Sequence, residues 1–232
     1  MLDIHTHLLH GMDDGSRSLE QSLAMLREMT RQGVDTVALT PHYEAGYESP
    51  SEFVRRRAQA ERQLRLALTN AGKVPKLIAG AEVAFFEGMS HVEDLDALCI
   101  EGTGSILLEM PFSVWSRRML NEIKVLQQVR GMEIILAHIE RYRSFQPTSV
   151  FAELSENGVW LQCNTSFFMK WQTYLPAMSM LKRRLVHFVA SDCHDLESRP
   201  PNLGSAMEEI RKRFGGGATE LLTYGEEMLW GG

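Results

Sequence analysis

Two histidines separated by one residue open the chain, in Met1-Leu-Asp-Ile-His-Thr-His7. On an extended strand, positions two apart face the same side. His5 and His7 can therefore grip one metal ion through neutral ring nitrogens. A lone His-x-His pair often arises by chance, so its meaning depends on what accompanies it. Metal-capable side chains recur along the chain: His42 after Pro41, Glu82, Glu109 before Met110-Pro111, His138, and Asp192 with His194. Five of the eight histidines belong to this series. Imidazoles and carboxylates without paired cysteines suit Mn2+, Fe2+ or Zn2+ in a catalytic site, not a Cys-rich structural zinc site. The donors are too many for one ion. A carboxylate such as Glu82 can bridge two, and bridged ions turn water into a nucleophile at neutral pH.

The loop His10-Gly-Met-Asp-Asp-Gly15 adds carboxylates. Asp13 or Asp14 can complete a third metal position, with His10 the weaker candidate; the plainer alternative is an Asp-Gly turn. Flanking glycines allow a sharp fold over the site. Arg141 follows His138 by three residues and Arg199 follows His194 by five. Arginines are usually surface residues. Beside a polynuclear metal site, though, their guanidinium forks match phosphate oxygens and point to a phosphate ester as substrate; Arg143 is a weaker third.

Cys193-His-Asp-Leu-Glu-Ser-Arg199 also fits Cys-x5-Arg, the pattern of phosphatases that attack phosphorus with a thiolate. Asp195 and Glu197 would repel a phosphate dianion there, and the segment lacks the glycines that curl backbone into an anion nest. The thiolate route is rejected on these grounds.

These residues need elements to bring them together. Apolar runs that read as strands cover 2–5, 34–40, 76–82, 105–109, 133–138, 159–164 and 187–192. Between them lie helical patterns at 18–32, 51–70, 90–98, 115–130, 149–157 and 173–184, with a last one after Pro200-Pro201 that Gly215-Gly-Gly217 ends. Alternation of this kind implies parallel strands joined by crossover helices. Six of the seven strands end on a metal-capable group, and the sixth ends on Asn164. An open sheet would spread such groups along an edge. A barrel gathers them on its C-terminal rim.

At 232 residues, 44% apolar and 23% charged, the chain suits one soluble domain over 1–232. A net charge of −6 argues against a nucleic-acid partner. Cys99, Cys163 and Cys193 read as free thiols in a reducing compartment. No signal peptide and no membrane span are apparent, which together point to the cytoplasm. Nothing fixes an oligomeric state.

The ordered pieces resemble the PHP (polymerase and histidinol phosphatase) superfamily, and within it the bacterial metal-dependent protein-tyrosine phosphatases of capsule and exopolysaccharide synthesis. The matching segments are Asp3-Ile-His-Thr-His7, Gly11-Met-Asp-Asp-Gly15, Thr40-Pro-His42, Gly80-Ala-Glu82, Leu108-Glu-Met-Pro-Phe112, His138-Ile-Glu-Arg-Tyr142, Asn164-Thr-Ser166 and Ser191-Asp-Cys-His194 with Arg199-Pro-Pro201. The resemblance implies a distorted seven-stranded (β/α)7 barrel and three metals, most often Mn2+, with iron or Zn2+ as alternatives. It also implies their ligands: His5, His7, Glu82 and Asp192 for one ion; Glu82, Glu109 and His138 for a second; Asp14, His42 and His194 for a third. Arg141 and Arg199 would hold the phosphate, and His42 or His194 is the candidate general acid. The implied substrate is a phosphorylated bacterial tyrosine kinase. Ile139 stands where the family commonly has proline, and Cys193 where other small residues are usual; neither removes a ligand. A phosphatase of small esters such as histidinol phosphate, or a non-catalytic kinase-binding regulator, are the rival readings.

Overall fold

The computed structural model describes residues 1–69 and 71–217, together with Leu222 and Leu229. Strands among them are β1 Leu2–Asp3, β2 Thr36–Leu39, β3 His42–Tyr43, β4 Lys76–Ala79, β5 Glu82–Ala84, β6 Ser105–Glu109, β7 Glu133–Leu136, β8 Trp160–Asn164 and β9 Phe188–Ala190. They form two sheets, ordered β1-β2-β4 and β3-β5-β6-β7-β8-β9. Every pairing is parallel, as the strand–helix alternation requires.

The strand expected over 34–40 is β2, and a further short strand, β3, follows it past Pro41; the strand expected over 76–82 is broken into β4 and β5. Pro41 has no N–H to give to a ladder, and a Cβ on Gly80 would lie 3.0 Å from the Thr40 methyl. The two strands kink side by side without parting: Gly80 N–H donates to Leu39 C=O at 3.0 Å and Glu82 N–H to Pro41 C=O at 3.1 Å. β3 and β5 thereby leave the first sheet and start the second. At the other edge Asp192 N–H donates to His5 C=O and His7 N–H to Cys193 C=O, both at 2.9 Å, with a parallel bridge between Thr6 and Cys193. The parallel sheet is curled, and its two ends meet where the ligand candidates cluster.

Side-chain alternation explains how one strand serves both packing and site. Val37, Leu39, Leu77, Ile106, Leu108, Ile134, Leu136 and Val189 belong to the large core cluster that also holds the helix residues Met25, Leu26, Leu64, Ile123 and Leu126. Their neighbours Leu2, Ile4, Ala38, Ile78, Leu107, Ile135 and Phe188 form a second, smaller cluster inside the curl, with Trp160 packed on it. Two or four residues further along, on the same face, stand polar groups. Ala38 leads through Thr40 to His42, Ile78 through Gly80 to Glu82, Leu107 to Glu109, and Phe188 through Ala190 to Asp192. An apolar plug thus underlies the ligand layer.

The helices are α1 Leu19–Arg31, α2 Pro50–Ala67, α3 Arg117–Arg130, α4 Thr148–Glu156, α5 Thr165–Met169, α6 Tyr174–Lys182 and α7 Leu203–Phe214. Ser18 caps α1 by accepting from Gln21 N–H at 3.2 Å, as its position predicts. Ser49 and Ser116 do the same for α2 and α3. Three expectations shift. Residues 90–98 form two 3-10 turns, α4 starts behind Pro147 rather than at a Ser149 cap, and α5 was not anticipated. Gly215, at φ 82°, closes α7. Asn70, the expected end of the second helix, and the tail from 218 lie outside the described residues apart from Leu222 and Leu229, both buried. No helix among the described residues is long and apolar enough to cross a membrane.

Candidate metal centre

Glu82 is the hub. Its Oε2 lies 3.0 Å from His5 Nε2, 3.3 Å from His7 Nε2 and 3.0 Å from His42 Nδ1. Its Oε1 lies 2.9 Å from His138 Nε2, which is also 3.2 Å from Glu109 Oε1. Asp192 Oδ1 stands 3.3 Å from His7 Nε2 and 3.5 Å from His5 Nε2. Asp14 Oδ1 stands 3.2 Å from His194 Nε2 and 3.6 Å from His42 Nε2. All nine expected ligands therefore meet at the C-terminal ends of the strands. Their donor atoms fall into three groups whose members lie within 4.8 Å of one another: His5, His7 and Asp192; His42, Glu82 and Glu109; and His7, Asp14, His42 and His194. The second and third groups share His42, and His138 joins the second through its contacts to both glutamates.

The donor chemistry fits divalent cations. His5 Nε2 and His7 Nε2 face each other at 3.2 Å, and Glu82 Oε2 and His194 Nε2 are buried with no hydrogen-bond partner. Buried polar atoms are normally paired; here lone pairs from separate strands converge on shared points. Electrostatics agree. Burial opposes charge on His7, yet Asp13, Asp192 and Glu82 outweigh it and push its pKa well above the ordinary value. Burial opposes charge on His138 too, and Glu109 and Glu82 still raise it to about 9. Burial works against ionising Glu82 and Asp192, but the surrounding histidines hold both carboxyls well below the usual range. A cation bound here would compete with the protons that the raised pKa values favour on His7 and His138. His194 already leans to the neutral, ligating form, lowered to about 4 by burial and by the charge of His7.

Two of the candidate ligands sit on strained backbone. His138 has φ 35° and Asp192 φ 52°, a region that costs a side-chain-bearing residue about 1–2 kcal/mol. Their strands end just before them, and the left-handed turn aims each side chain over the plug.

The loop after the first strand sorts its two aspartates. Asp13 Oδ2 accepts from His7 Nδ1 at 2.7 Å and from His42 N–H at 2.9 Å. It fixes the His7 tautomer with Nε2 toward the cluster, an outer role. Burial opposes its ionisation, but the His7 contact outweighs it and holds the carboxyl at about 2. Asp14 is the loop residue that reaches the donors. Gly15 makes the fold possible: a Cβ there would lie 2.3 Å from His7 C=O oxygen and 2.4 Å from His7 Cβ. His10 belongs to none of the three donor groups.

Both arginines are anchored on carboxylates of the cluster, which the spacing does not reveal. Arg141 bonds Asp192 Oδ2, and Arg199 bonds Asp14 Oδ2 at 2.8 Å. Each is about one-third exposed, so guanidinium donors stand at the mouth. Arg143 instead lies over the Phe167 ring, 5.7 Å from its centroid. Cys193 is fully buried, and burial pushes its thiol well above the ordinary value. That removes the thiolate reading of Cys-x5-Arg. Cys99, Cys163 and Cys193 are all free.

A parallel α/β fold that gathers imidazoles, carboxylates and two arginines at its strand ends defines a PHP-type phosphatase. Within that class the chain belongs to the family described as capsular polysaccharide synthesis, CpsB/CapC, which matches residues 1–228. It is 30% identical over 226 residues to the tyrosine-protein phosphatase CpsB of Streptococcus pneumoniae, covering 93% of this chain and 91% of that one. It is 30% identical over 236 residues to the tyrosine-protein phosphatase YwqE of Bacillus subtilis, covering 99% and 91%. The solved YwqE and CpsB structures, described as unique metal-dependent tyrosine phosphatases, provide a chain that superposes with a TM-score of 0.86 at 28% identity, covering 99% of this chain and 94% of that one. A histidinol phosphate phosphatase from Lactococcus lactis shares the fold, with a TM-score of 0.58 at 13% identity over 97% and 94% of the two chains.

Proposed function

We infer that this chain is a metal-dependent protein-tyrosine phosphatase acting in capsular or exopolysaccharide synthesis. The observation that carries the chemistry is the convergence of His5, His7, His42, His138 and His194 with Glu82 and Asp192, which no structural ion-pair network needs. Kinship with tyrosine phosphatases over nearly the whole chain carries the substrate class. The two sheets are read as one distorted seven-stranded barrel, in which the kinks at Pro41 and Gly80 leave the strand order intact. The whole chain, 1–232, acts as a single domain.

The ligand assignment is three ions on His5, His7, Glu82 and Asp192; on Glu82, Glu109 and His138; and on Asp14, His42 and His194. Mn2+ is the cation of choice, with iron or Zn2+ accepted by the same donors. Bound cations supply Lewis acidity toward a phosphoryl oxygen and toward water. The chain's own residues do the rest. Arg141 and Arg199 hold the phosphoryl oxygens and offset charge that grows on them. Asp192 and Asp14 fix the two guanidinium groups in place. The leaving phenolate, with an ordinary pKa near 10, needs little protonation. His42, 30% exposed where the other site histidines are buried, is better placed than His194 to pass a proton to it.

The surface favours a protein substrate. Tyr47, Phe112, Val114, Phe145, Trp171 and Leu196 are all exposed and all lie in segments that follow strand C-termini; Tyr47 lines a cavity with Asp13, Asp14 and His42. Exposed apolar surface of this kind marks contact with a partner. Phe112 stacks on the ligand His138 with centroids 5.9 Å apart and planes at 18°, which sets an aromatic wall beside the cluster. The natural partner is proposed to be an autophosphorylated bacterial tyrosine kinase, met in the cytoplasm. Kinetics on a phosphotyrosyl peptide and on histidinol phosphate, each with Mn2+ and with EDTA, test the reading. Cation-dependent hydrolysis with kcat/KM higher for the peptide is expected. Preference for histidinol phosphate, or hydrolysis that EDTA leaves untouched, overturns it.

A further inference from the structure

β8 ends on no metal-capable group, yet two of its inward-facing residues, Gln162 and Asn164, are polar. Trp160, Gln162 and Asn164 share one face; Trp160 packs on the apolar plug, while Gln162 and Asn164 are buried above it. A buried primary amide is destabilising for each group left unpaired, so two in succession need partners. They find them in one another and in the ligands. Gln162 Oε1 accepts from the His138 backbone N–H at 2.7 Å and lies 3.3 Å from His5 Nδ1. Gln162 Nε2 donates to Asn164 Oδ1 at 2.9 Å. Asn164 Nδ2 donates to Asp192 Oδ2 at 2.7 Å.

We propose that Gln162 and Asn164 form an amide relay that presets three ligands of the metal centre, acting as positioning residues. The relay rests on the metal-site reading above and follows from donor directionality. An amide oxygen only accepts, so the His5 nitrogen that faces it must carry the proton, and His5 Nε2 then presents its lone pair to the cluster. The same oxygen ties down the backbone of His138, which φ 35° would otherwise strain loose. Asp192 Oδ2 receives both Asn164 and Arg141. Its Oδ1 is the oxygen left facing His5, His7 and His194, so Asp192 offers a single oxygen. The chain is directional: its order fixes which end of each amide points where, and no other orientation satisfies both the His138 N–H and the Asp192 carboxylate.

Three comparisons test the relay. Gln162→Leu removes it, Gln162→Glu keeps the acceptor toward His5 and His138 but not the donor toward Asn164, and Asn164→Asp sets a carboxylate against Asp192. Mn2+ affinity is read by chelator competition at fixed pH, with far-UV dichroism and thermal melts as checks on folding. Loss of an outer partner of a ligand typically weakens metal binding 10–100-fold, so Gln162→Leu and Asn164→Asp should fall in that range and Gln162→Glu should recover part of the loss. A folded Gln162→Leu with wild-type affinity overturns the proposal. Nitrogen-15 spectra of histidine-labelled wild-type protein loaded with Zn2+ decide it even if the variants do not fold. A His5 protonated on Nδ1 is expected, and a proton on Nε2 refutes the relay. Wild-type protein that binds no Mn2+ at all would instead sink the metal-site reading itself.

Discussion

Glu82→Gln is the substitution whose effect the geometry states most sharply. The change is isosteric and removes one negative charge from the point where four imidazoles meet, at 2.9–3.3 Å from its two oxygens. Unit charges 4 Å apart at an effective dielectric constant of about 20 interact by about 4 kcal/mol. That is nearly three decades of affinity, before counting that an amide turns an N–H2 toward one set of donors. Mn2+ binding by chelator competition, with elemental analysis for stoichiometry, should show affinity weaker by about 10²–10³-fold and loss of at least one ion. Proton release on binding, measured calorimetrically in buffers of different ionisation enthalpy, should also fall. Without Glu82 less negative charge holds the protons on His7 and His138. A folded Glu82→Gln that binds the full complement of Mn2+ with affinity within threefold of wild type would refute the assignment of Glu82 as hub.

Three further outcomes follow from other parts of the molecule. Gly15→Ala forces a Cβ into the His7 backbone; overpacking of this kind costs about 1–3 kcal/mol. Calorimetry should show a lowered melting temperature together with weakened binding of the cation held by Asp14. His187, outside the site, accepts from Leu161 N–H at 2.9 Å, and burial lowers its pKa from 6.5 to about 4. The unfolded chain therefore binds more protons between those values, so stability is complete above about pH 6.5 and is lost as pH falls toward 4, by up to ~3 kcal/mol. Denaturant titrations of wild type and His187→Asn, which keeps an acceptor and cannot titrate, should diverge over that window and not above it. Cys193→Ser should retain most activity, and thiol alkylation of the folded enzyme should not inhibit it, because Cys193 is buried and un-ionised; parallel loss of activity in both experiments would restore the thiolate mechanism.

The centre was legible in the sequence because strand ends carry their chemistry as residue type. Histidine, glutamate and aspartate after six of the seven apolar runs are readable one at a time, and a parallel fold with crossover helices supplies the convergence. What escaped was what depends on partners across the sheet. Asn164 and Gln162 carry no charge, so residue type alone assigns them no chemistry; Asn164 stands out only as the start of a matching segment, and Gln162 not at all. Asp13 and Asp14 are adjacent and alike in sequence. Gly15 separates them in space, by letting the loop press on His7 so that Asp13 turns under the ring and Asp14 over the mouth. The breaks at Pro41 and Gly80 show the same limit. Each residue is a recognisable interruption, but that two strands bend together and keep their ladder is a property of the pair. Arg141 and Arg199 are marked in the sequence by standing close to candidate ligands, while their anchoring on Asp192 and Asp14 is a contact between distant segments that spacing does not encode.

Anomalous diffraction from crystals of the Mn2+-loaded protein, with the same preparation shown to hydrolyse a phosphotyrosyl peptide, tests the central claim most directly. Three manganese peaks are predicted: one between His5, His7, Glu82 and Asp192, one between Glu82, Glu109 and His138, and one between Asp14, His42 and His194. Active crystals with no manganese among these side chains would contradict the account.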